Sequence, residues 1–166
     1  AQAVISTQNA LIEVDRITHS GFLARTNGTQ QTVTDGAWNV LHGGAGGALD
    51  GAEYDPDSVW SASSTGRFTA PAGRWLVGAC AGVDALLSTE YIRVGVAKNG
   101  EATPSRLLAQ SGAPGASSTV MLSGTTIVES AGTDYFTLSL FVSGSGTHQT
   151  PAFAGGVQFW AQYLGP

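Results

Sequence analysis

Apolar and polar residues alternate with a period of two along most of this chain. Over residues 75–83, Trp75, Val77, Ala79, Ala81 and Val83 fall on one face, as they do in a strand whose successive side chains point to opposite sides. Gly78 and Gly82 fall on the other face and leave room for close approach by another chain or sheet. In 91–98, Ile92, Val94 and Val96 share one face, with Tyr91 and Arg93 opposite. In 135–143, Phe136, Leu138, Leu140 and Val142 are predicted to face in, and Tyr135, Thr137, Ser139 and Phe141 out. The last stretch, 157–164, sets Val157, Phe159, Ala161 and Tyr163 against Gln158, Trp160, Gln162 and Leu164. A one-residue slip would expose each apolar set, so register is well specified.

Shorter strands are predicted at 22–26, 31–34, 37–42 (Trp38 and Val40 on one face), 68–70, 106–110 and 119–128, the last broken at Ser123-Gly124. No segment carries a helical period. Roughly eight to ten strands at spacings of about ten residues indicate an antiparallel β-sandwich or jelly roll. Without helices there are no parallel βαβ units. Polar, glycine-rich stretches at 43–51, 111–118 and 143–151 read as loops.

Composition sharpens this picture. The 166 residues are 42% apolar but only 11% charged, far below the usual quarter. So sparse a charge predicts a surface partly covered by other subunits. Net charge is −5 with a single lysine, which argues against a nucleic-acid backbone as partner. The apolar runs are strand length, and neither a spanning helix nor a basic amphipathic helix is present. No signal peptide is visible at the N-terminus. Cys80, the sole cysteine, lies in an apolar strand and excludes an intrachain disulfide. Lack of disulfides favours a bacterial or viral source over a secreted eukaryotic module.

A dense signal lies at Thr65-Gly66-Arg67-Phe68-Thr69-Ala70-Pro71, followed by Gly73-Arg74-Trp75, preceded by Tyr54-Asp55-Pro56 and followed later by Lys98-Asn99-Gly100. This set resembles the globular head of the C1q/TNF-like family, with weaker likeness over residues 22–164. Residues 57–64 depart from the family pattern and look like an insertion. The resemblance implies a jelly roll that assembles as a homotrimer, with the last strand and its neighbours near the threefold axis. It carries no catalytic machinery. Residues 1–20 precede the family-like domain of 21–166. Within them, AVISTQNALIEVDR resembles short β segments of phage virion proteins, which implies an arm that docks the head on a capsid or tail protein.

Candidate chemistry is sparse. Asp50, Glu53, Asp55 and Asp57 crowd into eight positions, a carboxylate density that suits a hard cation such as calcium. Calcium near the apex of some C1q-like trimers adds to that expectation, although the loop does not match an EF-hand. His19, His42 and His148 stand in unrelated contexts and form no transition-metal motif. No nucleophile elbow or phosphate loop is present. Glu90, Glu129 and Asp134 lie near strand ends and read as rim residues. Asn27-Gly28-Thr29 is a glycosylation sequon, relevant only in a eukaryotic secretory route.

Binding is the better-supported class. Tyr91, Phe141 and Trp160 are outward aromatics suited to subunit contacts or sugar stacking, and His148 stands in a polar loop open to a ligand. Together these features describe a non-catalytic trimeric surface protein of a virion, with a host glycan as candidate ligand. The alternative is a secreted C1q-like carbohydrate-binding or matrix module. Either way the protein works on a virion surface or outside the cell, without nucleic-acid binding or membrane insertion.

Overall fold

The computed structural model of the chain describes residues 20–63, 65–113, 115 and 117–166. The proposed arm, 1–20, therefore lies outside the described residues except for Ser20, whose carbonyl accepts the Tyr163 N–H.

The strands are β1 (Gly21–Arg25), β2 (Thr32–Thr34), β3 (Trp38–Leu41), β4 (Gly51–Tyr54), β5 (Trp60–Ser61), β6 (Arg67–Thr69), β7 (Gly73–Leu86), β8 (Tyr91–Lys98), β9 (Arg106–Gly112), β10 (Ser118–Ser130), β11 (Tyr135–Val142), β12 (Thr147–Gln149) and β13 (Gln158–Gly165). One sheet runs β10-β7-β13-β1-β4. The facing sheet runs β5-β6-β11-β8-β9, with β3 also paired to β11, and β12 pairs with β2 as a small ribbon. All the pairings are antiparallel. The chain is an all-β jelly-roll sandwich, as its alternation predicted.

Every long predicted strand is present. Trp75, Val77, Ala79, Ala81 and Val83 of β7 are buried, as are Ile92, Val94 and Val96 of β8 and Phe136, Leu138, Leu140 and Val142 of β11. Two expectations need correction. β10 is not broken at Ser123-Gly124, because both residues stay in ladder register with Cys80 and Ala79 of β7. Thr137 and Ser139, expected on the open face of β11, are buried. They are small residues on a strand paired on both sides, by β8 along its length and by β6 and β3 on the other edge. The short β4, β5 and β12 were not predicted as strands.

The Thr65–Pro71 motif is explained by its aromatic. Phe68 packs against Phe22 at 4.8 Å, Trp75 at 5.0 Å and Phe136 at 6.1 Å between ring centroids, so it joins both sheets. Burying an aromatic side chain of this size stabilises by about 1.5–3 kcal/mol. The apparent insertion at 57–64 has a core function too, since Trp60 stacks on Phe22 at 5.3 Å and is buried. After the motif, the Trp75 indole N–H donates to the Pro71 carbonyl at 2.9 Å. Gly73 takes φ +127, and a Cβ there would lie 2.6 Å from the Tyr163 ring. Position 73 therefore requires glycine both for its backbone conformation and for space.

Lys98-Asn99 fastens the turn before β11. The Asn99 amide donates to Asp134 at 2.8 Å, and its carbonyl oxygen accepts the Tyr135 N–H at 2.9 Å. Lys98 Nζ pairs with Asp134 Oδ2 at 2.8 Å. Hydrogen bonds from Lys98, the Ala131 N–H and Asn99 all favour the charged carboxylate, so Asp134 titrates at about 2 rather than at its usual 3.8.

Candidate functional site

At one end of the sandwich three distant parts of the chain meet. Asp35 lies in the turn after β2, Glu90 directly before β8, and His148 in β12. Pairing of β2 with β12 sets Val33 opposite His148, and the Asp35 N–H donates to the Gly146 carbonyl. A tight turn holds Glu90, whose Oε2 accepts the Leu87 N–H at 2.9 Å.

His148 Nδ1 lies 2.9 Å from Asp35 Oδ1, and its Nε2 lies 3.2 Å from Glu90 Oε2. Asp35 Oδ2 also accepts the Gly146 N–H at 3.0 Å. The side chains are only 2% (Asp35), 9% (His148) and 11% (Glu90) exposed. They line a cavity of about 560 Å³ whose wall also includes Gln30, Asp84, Leu87 and Gln149 and, among the described residues, no lysine or arginine.

The outer face of the second sheet carries a row of side chains running across four strands. Gln110 of β9 is directly opposite Arg93 of β8, Arg93 opposite Phe141 of β11, and Phe141 opposite Trp38 of β3. Arg93 Nε donates to Gln110 at 2.6 Å. Its guanidinium lies 4.9 Å from the centroid of the Tyr91 ring and 5.9 Å from that of Phe141. Tyr91 stacks with Phe141 at 5.9 Å, and Trp38 packs with Phe141 at 5.6 Å. These rings are half-buried and present π faces beside a guanidinium and an amide. Such a surface suits a partner with both apolar faces and hydroxyl groups.

Trp160 does not join that row. It lies on the outer face of the opposite sheet, on β13, in register with Gly78 of β7. A methyl group at position 78 would overlap its indole ring. Gly82 is likewise opposite Met121, and a Cβ there would come 2.7 Å from the Met121 sulfur. The room predicted over Gly78 and Gly82 is thus filled from within the chain. The centre of this face carries no charge: Leu76, Gly78, Cys80 and Gly82 run along β7, and Trp160, Gln162 and Leu164 along β13. Ile127 on β10 is 54% exposed, Tyr54 on β4 48% and Leu164 37%. Burial pushes the Cys80 thiol pKa up from its ordinary value.

The four acidic residues expected to hold calcium do not converge. Asp50 accepts from the Asn27 N–H at 2.7 Å and the Thr29 hydroxyl at 2.6 Å. Glu53 is ion-paired with Arg25. Asp55 accepts the N–H groups of Val59 and Trp60 at 2.8 and 3.1 Å, and Asp57 is exposed. Asp50 precedes β4, Glu53 lies within it and Asp55 turns to cap the next segment, each held by its own donor, so closeness in sequence does not become closeness of oxygens. Among the described residues, the three metal-capable side chains with ligand atoms within 4.8 Å of one another are Asp35, Glu90 and His148.

Of the predicted binding residues, the structure thus unites Tyr91 with Phe141, sets His148 at the sandwich end, and separates Trp160 on the other sheet. Asp35, Glu90, Trp38 and Arg93 were not singled out as binding residues. Asp35 and His148 are more than a hundred positions apart, and no local spacing announces such a pair. For Trp38 a signal existed, in its alternation within 37–42, but its neighbour across the ladder could not be read from the chain.

The fold defines the class: a C1q/TNF-like antiparallel jelly roll. Among solved structures, the globular domain of zebrafish complement 1qA protein is similar, with a TM-score of 0.58 and 12% identity over 87% of this chain and 97% of that one. Eiger TNF from S. frugiperda is similar to the same degree, with a TM-score of 0.58 and 12% identity over 87% of this chain and 92% of that one. No family model matches the sequence. No curated protein matches it. Among the described residues no helix is long and apolar enough to cross a membrane.

Proposed function

We propose that the chain is a non-catalytic, homotrimeric binding module displayed on the outside of a particle. One observation carries this reading: the two outer faces of the sandwich differ in kind. The first sheet's outer face is uncharged at its centre, with Leu76, Trp160, Leu164 and Ile127, while the second presents the Trp38–Phe141–Tyr91–Arg93 row. An apolar sheet face of this sort is covered in a working protein, and closed cyclic association of identical chains covers it without leaving a free edge of the assembly. The aromatic–guanidinium row then faces outward toward a host glycan.

The N-terminal arm, residues 1–20, attaches the trimer to a capsid or tail protein of a virion. A secreted module of the same fold, binding carbohydrate or matrix, is the second reading, favoured by the likeness to the zebrafish complement and Eiger domains. Neither reading involves catalysis, nucleic acid or membrane insertion.

Light scattering during size exclusion tests the assembly. Three chains of 16.9 kDa give about 51 kDa, and Trp160→Arg is expected to yield a folded monomer. A monomeric parent chain would overturn the assignment of the apolar face. A glycan array separates the roles of the two faces: Trp38→Ala and Phe141→Ala are expected to abolish binding while leaving the trimer intact. Loss of glycan binding only in Trp160→Arg would place the ligand on the other sheet. For the virion reading, particles should lose the protein on deletion of residues 1–20 and keep it otherwise.

A further inference from the structure

At the sandwich end two nearly buried carboxylates meet a single imidazole. Asp35 and Glu90 are both nearly buried, and Asp84 lines the same cavity. Among the described residues no lysine or arginine lines that cavity. His148 supplies at most one positive charge against the two carboxylates it touches. Buried charges in proteins are paired or coordinate a metal.

We propose that Asp35, Glu90 and His148 bind a divalent transition-metal ion of the zinc class. With the imidazole neutral, two carboxylates and a dication sum to zero charge. One ring nitrogen and two carboxylate oxygens form a mixed donor set that suits zinc and its neighbours, whereas calcium and magnesium take all-oxygen shells.

The ligand atoms lie close enough to share one shell once one carboxylate turns. Bonds of about 2.0–2.2 Å place neighbouring ligand atoms a little over 3 Å apart in a tetrahedral shell. Nδ1 to Asp35 is 2.9 Å and Nε2 to Glu90 is 3.2 Å. A metal takes one of the two ring nitrogens, so the carboxylate on the other side turns toward it. The three ligand atoms start within 4.8 Å of one another, a distance that side-chain rotation covers. Three protein ligands leave a coordination position open, and all three residues line the cavity. Among its neighbours Gln30, Ser145, Thr147 and Gln149 are polar and uncharged and Asp84 is acidic, so the cavity suits a neutral hydroxyl oxygen of a small ligand as the remaining donor. The ion would also tie together the turn after β2, the turn before β8 and the β12 ribbon.

The test uses the full chain stripped with a chelator, then titrated calorimetrically with zinc chloride and separately with calcium chloride. One zinc per chain is expected, with a rise in Tm, and calcium is expected to give neither. His148→Gln and Glu90→Gln, each checked for folding by circular dichroism, are expected to weaken zinc binding by more than about 100-fold, beyond the loss typical of outer-shell changes. Cys80→Ser and His42→Gln are expected to bind zinc as the parent does. On the parent chain itself, nitrogen NMR of the imidazole rings should show a zinc-dependent shift at one ring nitrogen of His148. Absence of stoichiometric zinc binding overturns the proposal. Zinc binding that survives both triad substitutions, or that leaves the His148 ring nitrogens unshifted, overturns it equally.

Discussion

Trp160 on β13 is in direct ladder register with Gly78 on β7, and its indole fills the space that a side chain at position 78 would occupy. This pairing turns an aromatic on an open strand face into a half-buried part of a continuous apolar surface. Gly78→Ala is therefore expected to displace the indole. Overpacking of this kind costs about 1–3 kcal/mol, and the displaced ring also disturbs the face assigned to self-association. Urea denaturation and light scattering on the variant check both effects. A variant with parental stability and parental mass would show that the indole has room to move.

Phe68 is the side chain on which the core most depends. It touches Phe22, Trp75 and Phe136 and links the two sheets. Truncation of a buried Phe to Ala costs about 3–5 kcal/mol, a large share of the stability of an ordinary domain. Phe68→Ala is expected to lower the urea midpoint sharply or to prevent folding, whereas Phe68→Leu retains a cooperative transition.

Asp134 sets an acid limit on the turn before β11. Its carboxyl titrates at about 2 in the folded chain, against an ordinary 3.8, chiefly because Lys98 donates to it. A depressed folded pKa means that the unfolded chain takes up the proton first as pH falls. The stabilisation from this carboxylate is thus complete above about pH 4 and is lost as pH falls toward 2. Asp134→Asn is expected to flatten that part of the stability–pH curve, measured by thermal melts from pH 5 to pH 2. An unchanged slope in this window would remove Asp134 as a contributor.

Cys80 reports on the apolar face. It lies beside Gly78 and Gly82 on the outer side of β7 and is partly buried, and burial raises its pKa. Iodoacetamide is expected to alkylate it slowly at neutral pH, because the thiolate is the reactive form. In the trimer the rate should fall further, and the monomer made by Trp160→Arg should regain it. Equal rates in both forms would place the subunit contact elsewhere.

Calcium in the acidic loop would require Asp50, Glu53 and Asp55 to leave the donors they already hold. Chelation of calcium with EGTA is expected to leave Tm unchanged. A fall in Tm that calcium restores would show that the loop rearranges around the ion.

What the amino-acid sequence determined by itself was the alternation. Period-two patterning in 75–83, 91–98, 135–143 and 157–164 identified the inward residues because each strand turns its larger apolar side chains to the core, and a slip of one position would expose them all. The Thr65–Pro71 motif also carried its meaning locally, since Phe68, the Pro71 carbonyl and Gly73 act within a few residues of one another. Tertiary structure alone decided which faces and loops meet. Cross-strand neighbours such as Trp38 and Phe141 come from chain segments about a hundred residues apart. Asp35, Glu90 and His148 meet only because the pairing of β2 with β12 carries the end loops to one place. The acidic loop shows the converse: of four carboxylates close in sequence, Asp50, Glu53 and Asp55 are held by separate partners and Asp57 is left exposed, because the chain turns on leaving β4.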